Sequence, residues 1–189
     1  MILEEGIKLV KLAREAIDAS FTKNTIDFSQ YKEKRGVFVT LHKEGKLRGC
    51  IGFPEPVYPL GRAIVESARS AAFKDPRFEP VTHDELADID IEVSVLTMPE
   101  LIEVEKPEEY LDKIEIGKHG LIIKHIYRSG LLLPQVFTEY ESTPKEALEM
   151  LCEKAGLDHE SWQDPEVQIY SFEAEIFAEK EPNGEIIRS

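Results

Sequence analysis

The sequence predicts an α+β fold, with helices and antiparallel strands that follow no strand–helix–strand rhythm. Three observations lead there. Apolar residues at helical spacing open the chain, at Leu3, Ile7, Val10, Ala13 and Ile17. Val37–His42 and Leu47–Phe53 have strand composition and are separated by a glycine-containing turn, so they pair as a hairpin. Strict alternation then recurs at Ile89, Ile91, Val93 and Val95, and again from Tyr170 to Ala178.

The elements follow in order. An amphipathic helix over about 3–21 turns Lys8, Lys11 and Arg14 toward water, and residues 22–36 are a polar connection. In the hairpin, a three-residue loop Lys43-Glu44-Gly45 suits a type I turn and bulge, with Gly45 left-handed. That register sets Leu41 against Leu47, Val39 against Gly49 and Val37 against Ile51 on one apolar face. Phe38, Thr40, Arg48 and Cys50 occupy the other; a two-residue loop would instead bury Arg48 among aliphatic side chains. Pro54, Pro56 and Pro59 keep the chain extended before an alanine-rich helix over about 60–74, which Asp75-Pro76 stops. Strands are expected at 89–96, 101–104, 121–126 and 131–137, and Pro134 marks the last as an edge or a bulge. Thr143, Pro144 and Glu146 start a helix with a capping box, and Gly156 ends it. A final strand over 170–179 presents Tyr170, Phe172, Ala174, Ile176 and Ala178 on its dry face.

Composition limits function. The 189 residues suit one domain or two small subdomains, and 42% hydrophobic with 32% charged residues is a globular balance. No apolar run approaches the roughly 18 residues of a membrane span, and Glu4 and Glu5 stand where a secretory signal would be basic. A cytoplasmic protein is expected. Two cysteines are too few for a disulfide framework and lack zinc spacing, so neither a metal nor a cofactor is implied. The net charge of −14 disfavours nucleic acid. Residues 1–50, with 10 Lys and Arg against 7 Asp and Glu, are mildly basic and could still attract an anionic ligand.

The stretch Leu47-Arg48-Gly49-Cys50-Ile51-Gly52 concentrates the candidate chemistry. Arg48, about 6.5–7 Å from Cys50 along one strand face, would favour the thiolate of a nucleophilic or redox cysteine. Cys50 could equally be a small core filler. Arg48 could bind a carboxylate or phosphate, or pair with an internal acid such as Glu92. Leu47, Gly49, Ile51 and Gly52 supply the backbone of the site; the glycines admit a ligand, or else close packing of Phe38 or the small-residue helix. His42, four residues from Cys50 by register or about 13 Å, is too far to act as its base. His83, His125 and His159 could approach only through tertiary folding, as could His119, the best of these by its loop-like setting. Cys152 shares a helix face with Leu148 and Leu151 and reads as core.

These residues carry a resemblance. Leu47–Gly52 matches all six positions of the signature of the AMMECR domain family. Ala71-Ala72 with Asp75-Pro76-Arg77-Phe78, His119-Gly120-Leu121 and Leu132-Leu133-Pro134-Gln135-Val136 resemble further family segments in the family's order, over roughly residues 1–180. The resemblance implies two unequal α+β subdomains, each with an antiparallel sheet, separated by a cleft into which signature side chains point. With the smaller subdomain as one insertion, the larger comprises about 1–24 plus 86–189 and the smaller about 25–85. Gln135 then either caps an edge strand or lines the cleft. The family brings no established activity. By analogy it suggests a Memo-like protein and a radical S-adenosylmethionine protein as partners. Two functions remain open: an enzyme or enzyme accessory subunit using Arg48 and Cys50 on a small molecule or protein segment, or a non-catalytic binding or scaffold module.

Overall fold

The computed structural model describes residues 1–189. The chain runs α1 (Leu3–Thr22), β1 (Val37–Lys43), β2 (Lys46–Phe53), α2 (Leu60–Phe73) and β3 (Ile89–Leu96). It continues through β4 (Glu100–Leu101), α3 (Tyr110–Lys113), β5 (Gly120–His125), β6 (Arg128–Leu132), α4 (Pro134–Glu139) and α5 (Pro144–Lys154). It closes with β7 (Gln168–Phe172), β8 (Ala174–Glu179) and β9 (Ile186–Arg188). The strands form two sheets, and every recorded strand pairing is antiparallel, so the fold is α+β. No helix is long and apolar enough to cross a membrane.

Two compact units result, Met1–Leu96 with Glu175–Ser189, and Thr97–Ala174. These limits differ from a division at 25 and 85, and the reason lies in strand pairing. Strand β1 pairs with β3 along its whole length, from Val37 opposite Val95 to Lys43 opposite Ile89. The hairpin therefore cannot part from the strand that follows residue 86.

The first unit holds a five-stranded sheet in the order β2-β1-β3-β8-β9. Alternation puts Val37, Val39, Leu41, Ile91, Val93 and Val95 on one face, all fully buried in a core shared with α1 and α2. Arg14 does not face water as the helical pattern predicts. Its Nε donates to Glu179 Oε1 at 2.7 Å and its Nη2 to the Ile89 carbonyl at 2.6 Å, while the Ile91 N–H donates to Glu179 Oε2. A buried carboxylate is tolerable only with such partners. Glu179 thus sits inside, on the parity expected to be wet, because the predicted final strand is two strands. Strand β7 belongs to the second unit's sheet and β8 to the first, with Glu173 between them.

The hairpin turn also differs from expectation. Glu44 and Gly45 both have positive φ, 53° and 72°, so a two-residue mirror-image turn closes on the pair Lys43–Lys46. A bulge follows at once: His42 opposes Leu47 and Leu41 opposes Gly49, which leaves Arg48 as the extra residue. That residue restores the parity the short turn would have reversed. Cys50 consequently lies beside Thr40, on the face the sequence indicates, though every pair is shifted.

The second unit holds the sheet β4-β7-β5-β6 over a core that includes Leu121, Ile123, Phe137, Leu148, Leu151, Cys152, Trp162 and Ile169. Helix α5 is capped as its sequence demands. Glu146 N–H donates to Thr143 Oγ1, Gly156 has φ 70°, and the Leu157 N–H returns to the Cys152 carbonyl. Pro134 marks neither an edge nor a bulge. The strand ends at Leu132, and Pro134 takes the first position of α4, where its missing N–H costs nothing.

Candidate functional site on the hairpin edge

Strand β2 is the sheet's edge, so its outward backbone groups need partners from elsewhere. At Cys50 they come from the segment after α2. The Cys50 N–H donates to Asp75 Oδ2 at 2.9 Å, and the Cys50 carbonyl accepts from Arg77 Nη2 at 3.3 Å. Arg77 also grips the same carboxylate through Nε to Oδ1 at 2.9 Å and Nη2 to Oδ2 at 2.7 Å. Asp75 is buried with 1% of its side chain exposed, and the Arg77 guanidinium holds its carboxyl well below the usual range. Asp75-Pro76-Arg77-Phe78 is therefore a brace for the signature strand as well as a helix stop.

Arg48, displaced by the bulge, makes a two-pronged pair with Glu85, Nε to Oε1 at 2.9 Å and Nη2 to Oε2 at 3.0 Å, and also reaches the Glu79 carbonyl. The pair is largely buried, at 15% and 16% side-chain exposure, and Arg48 draws the Glu85 carboxyl down to about 2. The guanidinium is thus committed to Glu85, not to the thiol or to Glu92. Arg48 and Arg77 both approach the Phe78 ring, at 5.8 and 5.5 Å from its centroid. Arg48→Ala is expected to cost about 2 kcal/mol by leaving the largely buried Glu85 carboxylate with Lys43 Nζ, at 3.2 Å, as its one remaining charged partner. Arg48→Ala with Glu85→Ala should recover most of that in urea denaturation, the sign of a direct pair.

Cys50 lies in a row across three strands, opposite Thr40, which lies opposite Glu92. The Thr40 hydroxyl donates to Cys50 Sγ at 3.3 Å. Burial pushes the Cys50 thiol up, with Thr40 opposing, and burial likewise pushes the Glu92 carboxyl up. His42 turns to Asp90, with Nδ1 3.5 Å from Oδ2. The two glycines are filled positions. A Cβ on Gly49 would lie 2.3 Å from the Ala71 carbonyl oxygen, and one on Gly52 would meet the Val37 carbonyl and the Phe38 ring. Ile51 packs on the core and Leu47 is 42% exposed.

Two candidates fall in the other unit. His119 Nδ1 accepts from the Glu115 N–H at 3.2 Å and closes a turn. Gln135 sits in the first turn of α4, with its Oε1 buried and without a partner. Asp75, Arg77 and Glu85 are the residues that strand reasoning missed. Their signal was an edge strand carrying glycines, followed by an acid and a base two residues apart.

A sequence model of the AMMECR1 family matches residues 10–177. The chain belongs to that family. Among relatives of this AMMECR1-family member, protein MJ0810 of Methanocaldococcus jannaschii is 51% identical over 99% of this chain and 96% of its own length. Protein MK0488 of Methanopyrus kandleri is 50% identical over 98% and 94%. The crystal structure of PH0010 from Pyrococcus horikoshii is similar with a TM-score of 0.87 and 45% identity, covering all of this chain and 98% of that one. The family is thereby shown, and the relatives' names state no activity. In this AMMECR1-family chain, Leu47–Gly52 and Asp75–Phe78 are bonded to each other through Cys50.

Proposed function

We propose that the sheet face around Cys50, Thr40 and Glu92 is a binding surface, and that the protein acts through it as a binding or enzyme-accessory module with a neutral thiol. The observation that carries this reading is the setting of Cys50. Its thiol is raised by burial, and the charges acting on it are those of Arg77, Glu92 and Asp75, with no histidine among them. A resting nucleophile needs the opposite environment. A catalytic reading keeps one supporting observation, the raised Glu92 carboxyl two strands away, which could hold a proton for a thiol activated only when a ligand binds.

The test is the pH dependence of Cys50 alkylation by iodoacetamide, followed by mass spectrometry to separate it from buried Cys152. The rate should rise with a midpoint above the free-thiol value of about 8.5. A midpoint well below it would replace the module with an enzyme. Family analogy makes a Memo-like protein and a radical S-adenosylmethionine protein the first partners to try. Cys50→Ser should melt like wild type and lose capture of a partner; unchanged capture would remove Cys50 from the surface. A net charge of −14 argues against nucleic acid as the ligand, and two free thiols favour the cytoplasm.

A further inference from the structure

The second unit carries most of the negative charge. Residues 97–174 hold 17 Asp and Glu against 7 Lys and Arg, so −10 of the chain's −14 lies there. Within the unit is a cavity of about 550 Å³, bounded on one side by Leu101–Pro107 and on the other by Trp162–Gln168. Small-molecule sites have volumes of roughly 300–1,000 Å³, and this one falls inside that range. Its charged lining is Glu103, Glu105 and Asp164 against Lys106 alone. None of the three carboxylates has an ion-pair partner; Lys113, which donates to the Glu103 carbonyl, sets its charge beside Glu109. An anionic ligand would meet net repulsion here, and a cationic one attraction.

The main chain of the wall is largely spent. The Ile102 N–H donates to the Ile169 carbonyl, the Glu105 N–H to the Glu109 carboxylate, and the Glu103 carbonyl accepts from Lys113 Nζ. Recognition therefore falls to side chains, and one of them is unsatisfied. Trp162, which also lines the cavity, is 4% exposed, and its Nε1 is buried and donates to nothing. Buried donors are nearly always paired, and an unpaired one in a cavity wall asks for an acceptor. The three acids are exposed and the indole is buried, so charge and acceptor belong at opposite ends of a ligand. Val104, Pro107, Tyr110 and Val167 complete the wall and suit a carbon chain.

We propose that this cavity binds a small organic cation of the acylated-amine class, in which one ammonium is joined by a short carbon chain to an amide carbonyl. The ammonium meets Glu103, Glu105 and Asp164 at the mouth. The carbon chain lies on the apolar wall, and the carbonyl accepts from Trp162 Nε1. This inference is independent of the Cys50 surface, which lies in the first unit.

Trp162 is the single tryptophan, so its indole N–H gives one proton resonance that reports on the donor directly. The probes are N-acetylputrescine and N-acetylcadaverine, titrated into the full chain. Both should move that resonance downfield and saturably, as a new hydrogen bond requires. Putrescine, which has the charge without a carbonyl, should bind about tenfold more weakly or worse and leave the resonance in place. N-acetyl-γ-aminobutyrate, which keeps the carbonyl and reverses the charge, should not bind. Glu103→Gln with Glu105→Gln, both exposed positions, should weaken N-acetylputrescine about tenfold with an unchanged melting profile. Failure of both acylated amines to move the indole resonance would overturn the proposal. So would putrescine binding as tightly as its acylated form, because charge alone would then explain the affinity.

Discussion

Gly49→Val should lose about 4 kcal/mol of stability, above the roughly 1–3 kcal/mol usual for overpacking, because the obstacle is backbone. A Cβ at this position would lie 2.3 Å from the Ala71 carbonyl oxygen and 3.1 Å from its carbon. Small residues along α2 bring its main chain against the signature strand, and glycine is what lets the strand accept it. Ala71→Gly therefore should not rescue the variant, since the clashing atom belongs to every residue. At Gly6, by contrast, the obstacle is the Phe177 ring, a side chain that can be shortened. Differential scanning calorimetry is the measurement, and a fall of about 10 °C in Tm corresponds to this loss for a chain of this size. A Gly49→Val protein that melts like wild type but no longer binds partners would instead assign the glycine to a ligand.

How much of this was legible in the sequence depends on the range of the signal. Helix α5 was readable end to end because its capping box, first-turn proline and terminal glycine are all local. Strand β3 was readable because its pattern repeats every second residue against a core that buries one face. The hairpin was readable to its face and not to its register. Turn type and bulge position are coupled, and a shift of one residue in each cancels in the alternation. The split between β7 and β8 left no trace either, since alternation continues across Glu173 while the two halves join different sheets. The limits of the two units differ from a division at 25 and 85 for a related reason. It rests on β1 pairing with β3, a contact between segments about fifty residues apart that no local pattern encodes.

The site shows the same limit. Cys50, Arg48 and Glu92 were named from one strand's spacing and one sheet face, and the structure does set Cys50 and Glu92 in a row on either side of Thr40. What spacing alone could not supply was the competition for Arg48. An arginine beside a cysteine lowers the thiol's pKa only if no carboxylate holds it first. Glu85, brought up by the short turn at Asp84–Asp88, does hold it. The same logic governs the backbone of β2. An edge strand with an unpaired N–H at its centre invites addition of another strand, and Asp75 and Arg77 close that position by satisfying both groups of Cys50.

Asp75→Ala tests that closure and should lose about 3 kcal/mol, toward the lower end for breaking a buried pair because Arg77 is 53% exposed and can be solvated. The cost arises in three places: the Cys50 and Arg77 N–H groups each lose their acceptor, and the Arg77 side chain loses the anchor that aims it at the Cys50 carbonyl. The pH dependence carries a definite sign. The folded Asp75 carboxyl is depressed far below its unfolded value of about 3.9. Its stabilisation is therefore fully present above the unfolded value and is lost as pH falls toward the folded one. Glu85, held at about 2 against an ordinary 4.5, acts in the same direction over the same acid range. Urea denaturation at pH 7, 4 and 3 should show wild type weakening steeply below pH 4.5 and the variant more gently, so that the gap between them narrows. A gap independent of pH would mean that the carboxylate's charge does not brace the strand. In that event Asp75→Asn, which keeps an acceptor for the Cys50 N–H but not the charge, should be as stable as wild type.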